Sequence, residues 1–423
     1  MLLKNINISV IGLGYVGLPL SIEFGKKYTV IGYDKNIKRI NELKSNYDSN
    51  DDIAKKDFKK AKKVFFSHNH NSLKNSNIFI ITVPTPIKKN KKPDLKFINE
   101  ACNIICKYIK KESIIILEST VYPGFTEGYI APLIEKKTNL KFNKDFFCGY
   151  SPERINPNDK IHKLTEIIKI TSGANKKTSS FIDTLYKSII KAGTHKTKNI
   201  SIAEAAKVIE NSQRDINIAF INELAIIFDK MSININDVLK ASNTKWNFLD
   251  FKPGLVGGHC IGVDPYYLAY KSKKLGYDPK IISSGRKIND SFSKFIANKA
   301  IKHSKLIFGT QKLRVLLMGL TFKENCKDFR NSKSIELYKH LIKSKIKVDC
   351  YDPIIRGDEI KKKYKITLLK KLNNNSYNCI ILSVAHNNFK KMGYKSIEKL
   401  LINRGFIFDI KNIFNYNKKN LYL

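Results

Sequence analysis

Short apolar runs alternate with helical stretches over about the first 190 residues. The runs are rich in β-branched and aromatic residues, and each ends in residues that are typical of turns. This alternation predicts a parallel sheet with crossover helices. The predicted strands are Ile6–Ile11, Thr29–Asp34, Ile78–Val83, Ile114–Thr120 and Phe146–Tyr150.

One long helix is predicted from Ser201 to Lys230, because this stretch has no Pro or Gly and its apolar residues recur at helical spacing. We interpret it as a connector between two lobes and as the surface of a homodimer. Residues 231–300 are expected to form further helices around a glycine-rich loop, Pro253–Gly262.

A second α/β pattern follows, with predicted strands at Val315–Gly319, Val348–Asp352 and Cys379–Val384. The predicted fold is therefore α/β, with two Rossmann-like doubly wound domains joined by a long central helix and a small helical domain. The expected domains are residues 1–197, 198–305 and 306–423.

The segment Gly12–Gly17 is a GxGxxG sequence that follows a predicted strand and opens a helix. Gly12 permits a tight turn, Gly14 lets a pyrophosphate approach the backbone, and Gly17 lets the helix pack on the strand. The next strand ends at Asp34, whose carboxylate can accept from a ribose 2′-hydroxyl and would repel a 2′-phosphate. The sequence therefore predicts an NAD site.

Other residues near this turn bear on the same site. Lys35 and Arg39 lie close to Asp34 and weaken somewhat the preference for NAD over NADP, and Arg39 is also a predicted cofactor contact. The turns at Val83–Pro86 and Glu118–Gly124 follow predicted strands and should border the cofactor, although each could also be an ordinary Pro-containing turn.

The loop Gly254–Pro265 places Cys260 among glycines, where a backbone can come close to a ligand. A thiol beside an NAD site suggests covalent oxidation of an aldehyde through a thiohemiacetal and a thioester, which water hydrolyses. His259 could activate the thiolate or serve only as a local hydrogen-bonding residue. Asp264 could steer a water molecule or a proton. The alternative, a small buried hydrophobe, is the interpretation for Cys102, Cys106, Cys148, Cys350 and Cys379.

Lys207 and Asn211 are four residues apart on the predicted long helix and so share a face. Both could stabilise one oxyanion, but spacing alone favours a solvated lysine. In the third segment, Gly319–Asn325 and Asp328–Ser332 place basic groups after a strand, which suits a phosphate-bearing ligand.

The formal net charge is +40, but only eight of the 77 basic residues are Arg and the Lys residues are spread along the chain. A bias in base composition explains this better than nucleic-acid binding, which favours clustered Arg and aromatic residues. Seven Cys without a CxxC pair or a zinc-type spacing indicate no metal site and a reducing cytosol. We also expect no signal peptide and no membrane segment.

Seven motifs in this order resemble the UDP-glucose/GDP-mannose dehydrogenase superfamily. They are GLGYVGLP, VPTP, ESTVYPG, SPERINP, AEAAKVIEN, GGHCIGVDP and GLTFKENCKDFRNS. The resemblance implies a four-electron oxidation that uses two NAD, with residues 1–197 binding NAD, 198–305 carrying the Cys loop and dimer contacts, and 306–423 binding the UDP-sugar.

The resemblance also implies catalytic roles. Cys260 is similar to the family's nucleophile, and Lys207 to the residue that stabilises the oxyanions, which reverses the reading from spacing. Asn211 would help through an ordered water. Asp264 would position that water or accept a proton, and Glu153 would activate the hydrolytic water.

Further contacts follow from the same resemblance. Thr120 would hold the water network near the nicotinamide, Lys323 would bind the UDP-sugar, and Arg330 would contact a phosphate of the cofactor or nucleotide. Glu153, Lys207 and Asn211 would also contact substrate. The remaining predicted contacts are Tyr15, Val16 and Thr85 for the cofactor and Arg154, Phe248 and Gly257 for the substrate.

Within the superfamily, the stretches TKWNF, CIGVDPYYL, FKENC and GRKIND resemble the branch that oxidises UDP-N-acetylglucosamine or UDP-N-acetylgalactosamine for surface polysaccharide precursors. Val263 stands where UDP-glucose enzymes usually have Lys. A UDP-glucose or GDP-mannose dehydrogenase is the first alternative. A two-electron hydroxyacid dehydrogenase and a nucleic-acid binder are further alternatives.

Overall fold

The computed structural model describes residues 5–155, 162–258, 261–309, 311–414 and 420–423. The chain forms two compact units. The first comprises Met1–Glu210 and Tyr266–Asp278, and the second Asn211–Pro265 and Pro279–Leu423. The three-domain division at 197/198 and 305/306 stays a prediction.

The first unit is built on an eight-stranded sheet in the order β3-β2-β1-β4-β5-β6-β7-β8. The order reverses between β1 and β4, and ligands of such sheets bind at the carboxyl ends of the strands beside this reversal. The strands are β1 Asn7–Ile11, β2 Thr29–Tyr33, β3 Val64–Ser67, β4 Ile78–Ile81, β5 Ser113–Leu117, β6 Phe146–Tyr150, β7 Lys169–Gly173 and β8 Thr194–Lys196.

One pairing departs from the predicted parallel sheet: β6 and β7 are antiparallel, with Gly149 opposite Gly173. An antiparallel neighbour needs no crossover helix. In the described part of the connection, the helical structure is one short 3₁₀ turn, Leu164–Glu166. The sequence reading also missed β3, β7 and β8.

Two helices of the first unit each begin at an Asn side chain that caps them. Asn36 accepts from the Arg39 N–H, and Asn175 accepts from the Thr178 N–H at 2.9 Å. The helices of the first unit that precede residue 200 are α1 Gly17–Gly25, α2 Ile37–Lys44, α3 Lys55–Lys60, α4 Lys96–Ile105, α5 Ala131–Lys137 and α6 Lys176–Lys187, with a 3₁₀ helix at His70–Asn75 and a π turn at Thr126–Ile130.

The predicted long helix is present as α7, Ile200–Lys230. The Asn199 side chain accepts from the Ile202 N–H at 3.0 Å and so caps its start. The boundary between the two units falls within this helix, after Glu210.

The second unit carries a parallel four-stranded sheet in the order β10-β9-β11-β12. Val315 and Leu317 of β9 pack into one apolar core, whereas Leu316 and Met318 pack into another, so both faces of the sheet are covered. Its strands are β9 Arg314–Met318, β10 Lys347–Tyr351, β11 Tyr377–Leu382 and β12 Leu401–Asp409.

In the described part of the chain, three of the remaining helices follow α7 directly, and four belong to the second α/β region. In chain order, they are α8 Ile235–Ser242, α9 Asp264–Lys274, α10 Lys280–Phe308, α11 Lys333–Lys343, α12 Gly357–Tyr364, α13 Asn387–Met392 and α14 Tyr394–Glu398. The predicted α/β fold with two Rossmann-like sheets is confirmed. Among the residues that the structure describes, none of the helices combines the length and apolarity that a membrane crossing requires.

Candidate active site

The segment Gly12–Gly17, here called the first glycine turn, joins β1 to α1. Gly12 has a φ of +100°. A side chain at Gly17 would place its Cβ 1.9 Å from the Gly12 carbonyl oxygen, whereas nothing lies within 4 Å of a Cβ at Gly14. The turn is therefore tight where helix and strand meet and open where a pyrophosphate would approach. This geometry fits NAD.

Asp34 follows β2 directly and is half-buried beside the first glycine turn. Its carboxylate accepts from the Leu13 N–H at 2.9 Å and from the Asn36 N–H at 2.9 Å. Arg39 is buried, and its guanidinium donates to the Leu13 carbonyl at 3.0 Å and to Asp48 at 2.7 Å. Arg39 therefore holds the shape of the turn, and its predicted contact with the cofactor stays a prediction.

Glu153 and Lys207 lie together in the first unit, both nearly fully buried. The Lys207 ammonium donates to the main-chain carbonyl of Glu153 at 2.6 Å. One carboxylate oxygen of Glu153, Oε1, accepts the N–H groups of Arg154 and Ile155. The other, Oε2, is buried and has no hydrogen-bond partner among the described residues. An unpaired buried acceptor is costly, and a water molecule would satisfy it.

A cluster of buried charged side chains, which was not predicted from the sequence, lies beside Glu153. Lys169, at the start of β7, lies 2.7 Å from a carboxylate oxygen of Glu118 and 3.6 Å from Glu153 Oε2. Tyr186 donates to the other oxygen of Glu118. Burial raises the pKa of Glu118, against the effect of Lys169. The signal in the sequence is a single Lys inside the apolar run Ile167–Thr171.

Cys260 and His259 lie outside the described residues. The glycines before them pack closely against the second unit's own chain. A Cβ at Gly257 would lie 2.5 Å from the Asn331 carbonyl oxygen, and one at Gly258, whose φ is +91°, would lie 2.7 Å from the Phe322 ring. The glycines of this loop are therefore needed for close packing.

Asn211 and Asp264 are buried in the second unit and contact each other directly. The Asn211 amide donates to Asp264 Oδ2 at 2.6 Å. Asp264 is the first residue of α9, where the helix dipole favours a negative charge. The structure thus brings together two residues that were predicted to act on one water or proton.

The segment Gly319–Thr321, here called the second glycine turn, borders a cavity of about 60 Å³ in the second unit. Lys323 lines it, and its contact with the UDP-sugar stays a prediction; Lys411, which was not predicted from the sequence, lines it as well. Burial lowers the pKa of Lys411, and the charge of Glu324 acts in the opposite direction. Lys411 follows β12, a strand that was not predicted.

The remaining predicted contacts are exposed or half-buried. Arg330 is exposed, and its guanidinium pairs with the Asp328 carboxylate at 2.7 Å. Arg154 pairs with Glu210 at 2.8 Å. Phe248 is half-buried against the core of the second unit. The other predicted contacts that are half-buried are Tyr15, Val16, Thr85 and Thr120.

The cysteines interpreted as hydrophobes are free thiols. Burial raises the pKa of Cys102 to about 12 and also raises that of Cys148, Cys350 and Cys379. Cys106 is only half-buried, and burial raises its pKa as well. Thiols of this kind are poor nucleophiles at neutral pH.

Three regions of the chain match domains of one family. Residues 6–190 match the NAD binding domain of the UDP-glucose/GDP-mannose dehydrogenase family, residues 201–291 its central domain, and residues 316–416 its UDP binding domain. The chain belongs to this family. It is an NAD-dependent nucleotide-sugar dehydrogenase, and its cofactor is NAD.

Individual relatives are similar over their full length. The chain is 49% identical over 422 residues to the UDP-N-acetyl-D-glucosamine 6-dehydrogenase of Pseudomonas aeruginosa, covering 100% of both. It is 45% identical to the enzyme of the same name from Salmonella typhi, covering 97% of both. Among solved structures, it resembles the UDP-D-ManNAc dehydrogenase of Pyrococcus horikoshii with a TM-score of 0.87 and 29% identity, over 99% of this chain and 98% of that one.

Proposed function

We propose that this protein oxidises the C6 hydroxymethyl group of a UDP-N-acetylhexosamine, UDP-GlcNAc or UDP-GalNAc, to a carboxylate. The full-length similarity to two UDP-N-acetyl-D-glucosamine 6-dehydrogenases supports the acetamido sugar. The observation that carries the oxidation to the acid is the buried Lys207–Glu153 pair, which combines a cation with a carboxylate oxygen that has no hydrogen-bond donor among the described residues. A UDP-glucose or GDP-mannose 6-dehydrogenase is the alternative.

The chemistry of the proposal balances over two oxidations. The alcohol is first oxidised to an aldehyde, and the Cys260 thiolate then forms a C–S bond to C6. The resulting thiohemiacetal is oxidised to a thioester. Bound NAD⁺ supplies the hydride acceptor for both oxidations. Water then adds to C6, the C–S bond breaks, and the thiolate returns. One water and two NAD⁺ give the carboxylate, two NADH and three protons.

The predicted residues take separate parts in this reaction. Lys207 stabilises the negative charge that develops on the C6 oxygen. Glu153 accepts a proton from the hydrolytic water through its unpaired Oε2. The Asn211–Asp264 pair fixes a water or a proton at the Cys loop, and Thr120 orders water near the nicotinamide.

The binding residues divide between nucleotide and sugar. Asp34 accepts a hydrogen bond from the adenosine ribose, Gly14 leaves space for the pyrophosphate, and Gly12 and Gly17 allow the tight turn and the close packing of helix on strand. Lys323 binds the phosphates of the UDP-sugar, and Arg330 leaves Asp328 to contact a phosphate. The other contacts in the proposal are Tyr15, Val16, Arg39 and Thr85 for the cofactor and Arg154, Phe248 and Gly257 for the sugar nucleotide.

We also propose a cytoplasmic homodimer that supplies precursors of surface polysaccharides. Catalysis by Cys260 needs a reduced thiol, and the other six cysteines are free thiols. Exposed apolar residues along α7 support a dimer surface, among them Ile209 and Phe220, each more than half exposed.

A panel of nucleotide sugars tests the substrate. The purified protein is incubated with NAD⁺ and, separately, UDP-GlcNAc, UDP-GalNAc, UDP-glucose and GDP-mannose, and NADH is followed by absorbance. Turnover with an acetamido sugar supports the proposal. NADH from UDP-glucose or GDP-mannose alone would contradict the substrate. In parallel, Cys260→Ser should lose formation of the carboxylate, and a Cys260→Ser variant that still forms it would contradict the covalent route.

A further inference from the structure

Lys169 is a buried cation whose surroundings are all from the first unit. Its side chain is 2% exposed. Its ammonium donates to a carboxylate oxygen of Glu118 at 2.7 Å and to the Pro152 carbonyl at 3.0 Å, and it lies over the Tyr186 ring at 5.5 Å. A buried ammonium is costly unless it is paired and hydrogen-bonded. This pocket therefore holds Lys169 in one position.

The two carboxylates beside Lys169 differ in how they are satisfied. Each oxygen of Glu118 has a donor, Tyr186 on one side and Lys169 on the other. In Glu153, both backbone donors go to Oε1, and Oε2 faces the Lys169 ammonium at 3.6 Å without a hydrogen bond from a described residue. Glu118 thus anchors the cation, whereas Glu153 Oε2 is buried without a hydrogen-bond donor among the described residues.

The peptide group between Pro152 and Glu153 links this cluster to the long helix. Lys169 holds the Pro152 carbonyl at 3.0 Å, and Lys207 of α7 holds the next carbonyl, that of Glu153, at 2.6 Å. Among the described residues, Lys169 thus contacts the Glu153 carboxylate and Lys207 contacts the Glu153 backbone, and Glu118 pairs with Lys169.

We propose that Lys169 is a positioning residue for Glu153: it fixes the Pro152–Glu153 backbone and directs Oε2 toward the hydrolytic water. This inference rests on the proposed function, in which a water proton passes to Oε2 as the water oxygen bonds to C6 and the C–S bond of the thioester breaks. Lys169 touches neither substrate nor cofactor in this scheme. Its removal should slow hydrolysis of the thioester and leave the earlier steps in place.

The test compares four variants by intact-protein mass spectrometry after mixing with NAD⁺ and the sugar that the panel identifies. Lys169→Met removes the cation. Because it strands Glu118 in the interior, the double variant Glu118→Gln/Lys169→Met removes both charges and keeps a foldable comparison. Glu153→Gln is the reference for a lost base. Lys191→Met is the matched control, since Lys191 is 77% exposed and pairs only at 3.6 Å with Glu166.

We expect Glu153→Gln, Lys169→Met and the double variant all to accumulate a covalent adduct of the UDP-uronyl mass. Their kcat should fall on the order of 10-fold or more, a share of the roughly 10²–10⁴-fold that a general base contributes, with the KM for the sugar little changed. Lys191→Met should behave as the unmodified protein.

Two failures can be told apart. If Glu153→Gln accumulates the adduct but the double variant folds and turns over normally without it, Lys169 is a structural charge and the inference is wrong. If Glu153→Gln forms no adduct at all, the proposed thioester route itself is wrong.

Discussion

The two glycine turns share one backbone plan and differ in what they leave open. In the first, the Gly12 N–H donates to the Tyr33 carbonyl at 2.8 Å; in the second, the Gly319 N–H donates to the Tyr351 carbonyl at 3.0 Å. Both glycines have a positive φ, +100° and +89°. Each turn lies where the strand order of its sheet reverses, the position at which such sheets bind ligands.

An aspartate after the neighbouring strand braces each turn in the same way. Asp34 accepts from the Leu13 N–H at 2.9 Å, and Asp352 accepts from the Leu320 N–H at 2.7 Å. Asp34 is half-buried, but Asp352 is 6% exposed and lies 3.3 Å from the buried His386 ring. The Asp34 carboxylate is therefore accessible to a ribose, whereas His386 covers the Asp352 carboxylate.

The third residue of each turn completes the contrast. At Gly14, the space where a Cβ would point is open; in the second turn that place is taken by Thr321, which is buried. The first turn thus leaves open the position where a pyrophosphate would approach, whereas a side chain occupies that position in the second turn. Beside the second turn, the side chains of Lys323, the predicted UDP-sugar contact, and of Lys411 line the cavity.

The largest effect is expected from Gly17→Ala in the first turn. The added Cβ would lie 1.9 Å from the Gly12 carbonyl oxygen, so the backbone must move. We expect a loss of about 1–3 kcal/mol or more in the free energy of unfolding and a fall in NADH production on the order of 10²-fold. Gly14→Ala is the control: it should unfold at a similar temperature yet bind NAD⁺ more weakly. Equal stability loss in both variants would contradict the open position at Gly14.

A matched pair of substitutions, Asp34→Asn and Asp352→Asn, separates binding from bracing. Asp34→Asn should raise the KM for NAD⁺ about tenfold, the value of one charge-assisted hydrogen bond. Asp352→Asn should lower the free energy of unfolding by about 1–3 kcal/mol and leave that KM unchanged. Steady-state kinetics measures the KM for NAD⁺ of both variants, and urea unfolding measures their stability. A raised KM for NAD⁺ in Asp352→Asn would contradict the assignment of binding to Asp34 alone.

The second turn should also give stability a dependence on low pH. Burial opposes ionisation of Asp352, but His386 and the backbone N–H groups outweigh it and hold its pKa below the ordinary 3.8. A carboxylate whose pKa is lower in the folded than in the unfolded state stabilises the protein at pH values above the unfolded-state pKa. This stabilisation is lost as the pH falls through the folded-state pKa. Urea unfolding between pH 6 and about pH 3 should therefore show a smaller decline in Asp352→Asn than in the unmodified protein. Parallel declines would count against this role of Asp352.

The smallest effects are expected where a hydroxyl closes each turn. Thr82 donates to the Gly12 carbonyl at 2.7 Å, and Ser383 donates to the Gly319 carbonyl at 2.5 Å. Thr82→Val and Ser383→Ala should each cost about 1 kcal/mol of unfolding free energy. Only Thr82→Val should also weaken NAD⁺ binding, which fluorescence titration can measure. If Ser383→Ala weakened NAD⁺ binding as well, the proposed difference between the two turns would be wrong.

The sequence predicted elements that carry a strong local pattern. The apolar runs of β1, β2, β4, β5 and β6 and the uninterrupted helix α7 were found because periodicity and turn residues mark them. It missed β3, β7, β8 and β12. In β7, a buried Lys169 interrupts the apolar run, and its charge is paired mainly with Glu118, 51 positions earlier in the chain.

The site residues, too, could be predicted from the sequence only where a local pattern marks them. The glycines, Asp34 and the Cys loop are recognisable because their chemistry is local. The surroundings of Lys169 and Lys411 come from residues distant in the chain, and the buried pairing of Arg39 with Asp48, nine positions later, is not marked by helical or strand spacing.

The ratio of NADH formed to sugar consumed tests the proposed reaction most directly. A known limiting amount of the acetamido sugar nucleotide is converted to completion with excess NAD⁺. The NADH formed is quantified by absorbance, and the mass of the product is determined by mass spectrometry. Two NADH per sugar, with a product heavier than the substrate by one oxygen and lighter by two hydrogens, is the expected result. One NADH per sugar, with an aldehyde or ketone as the final product, would contradict it.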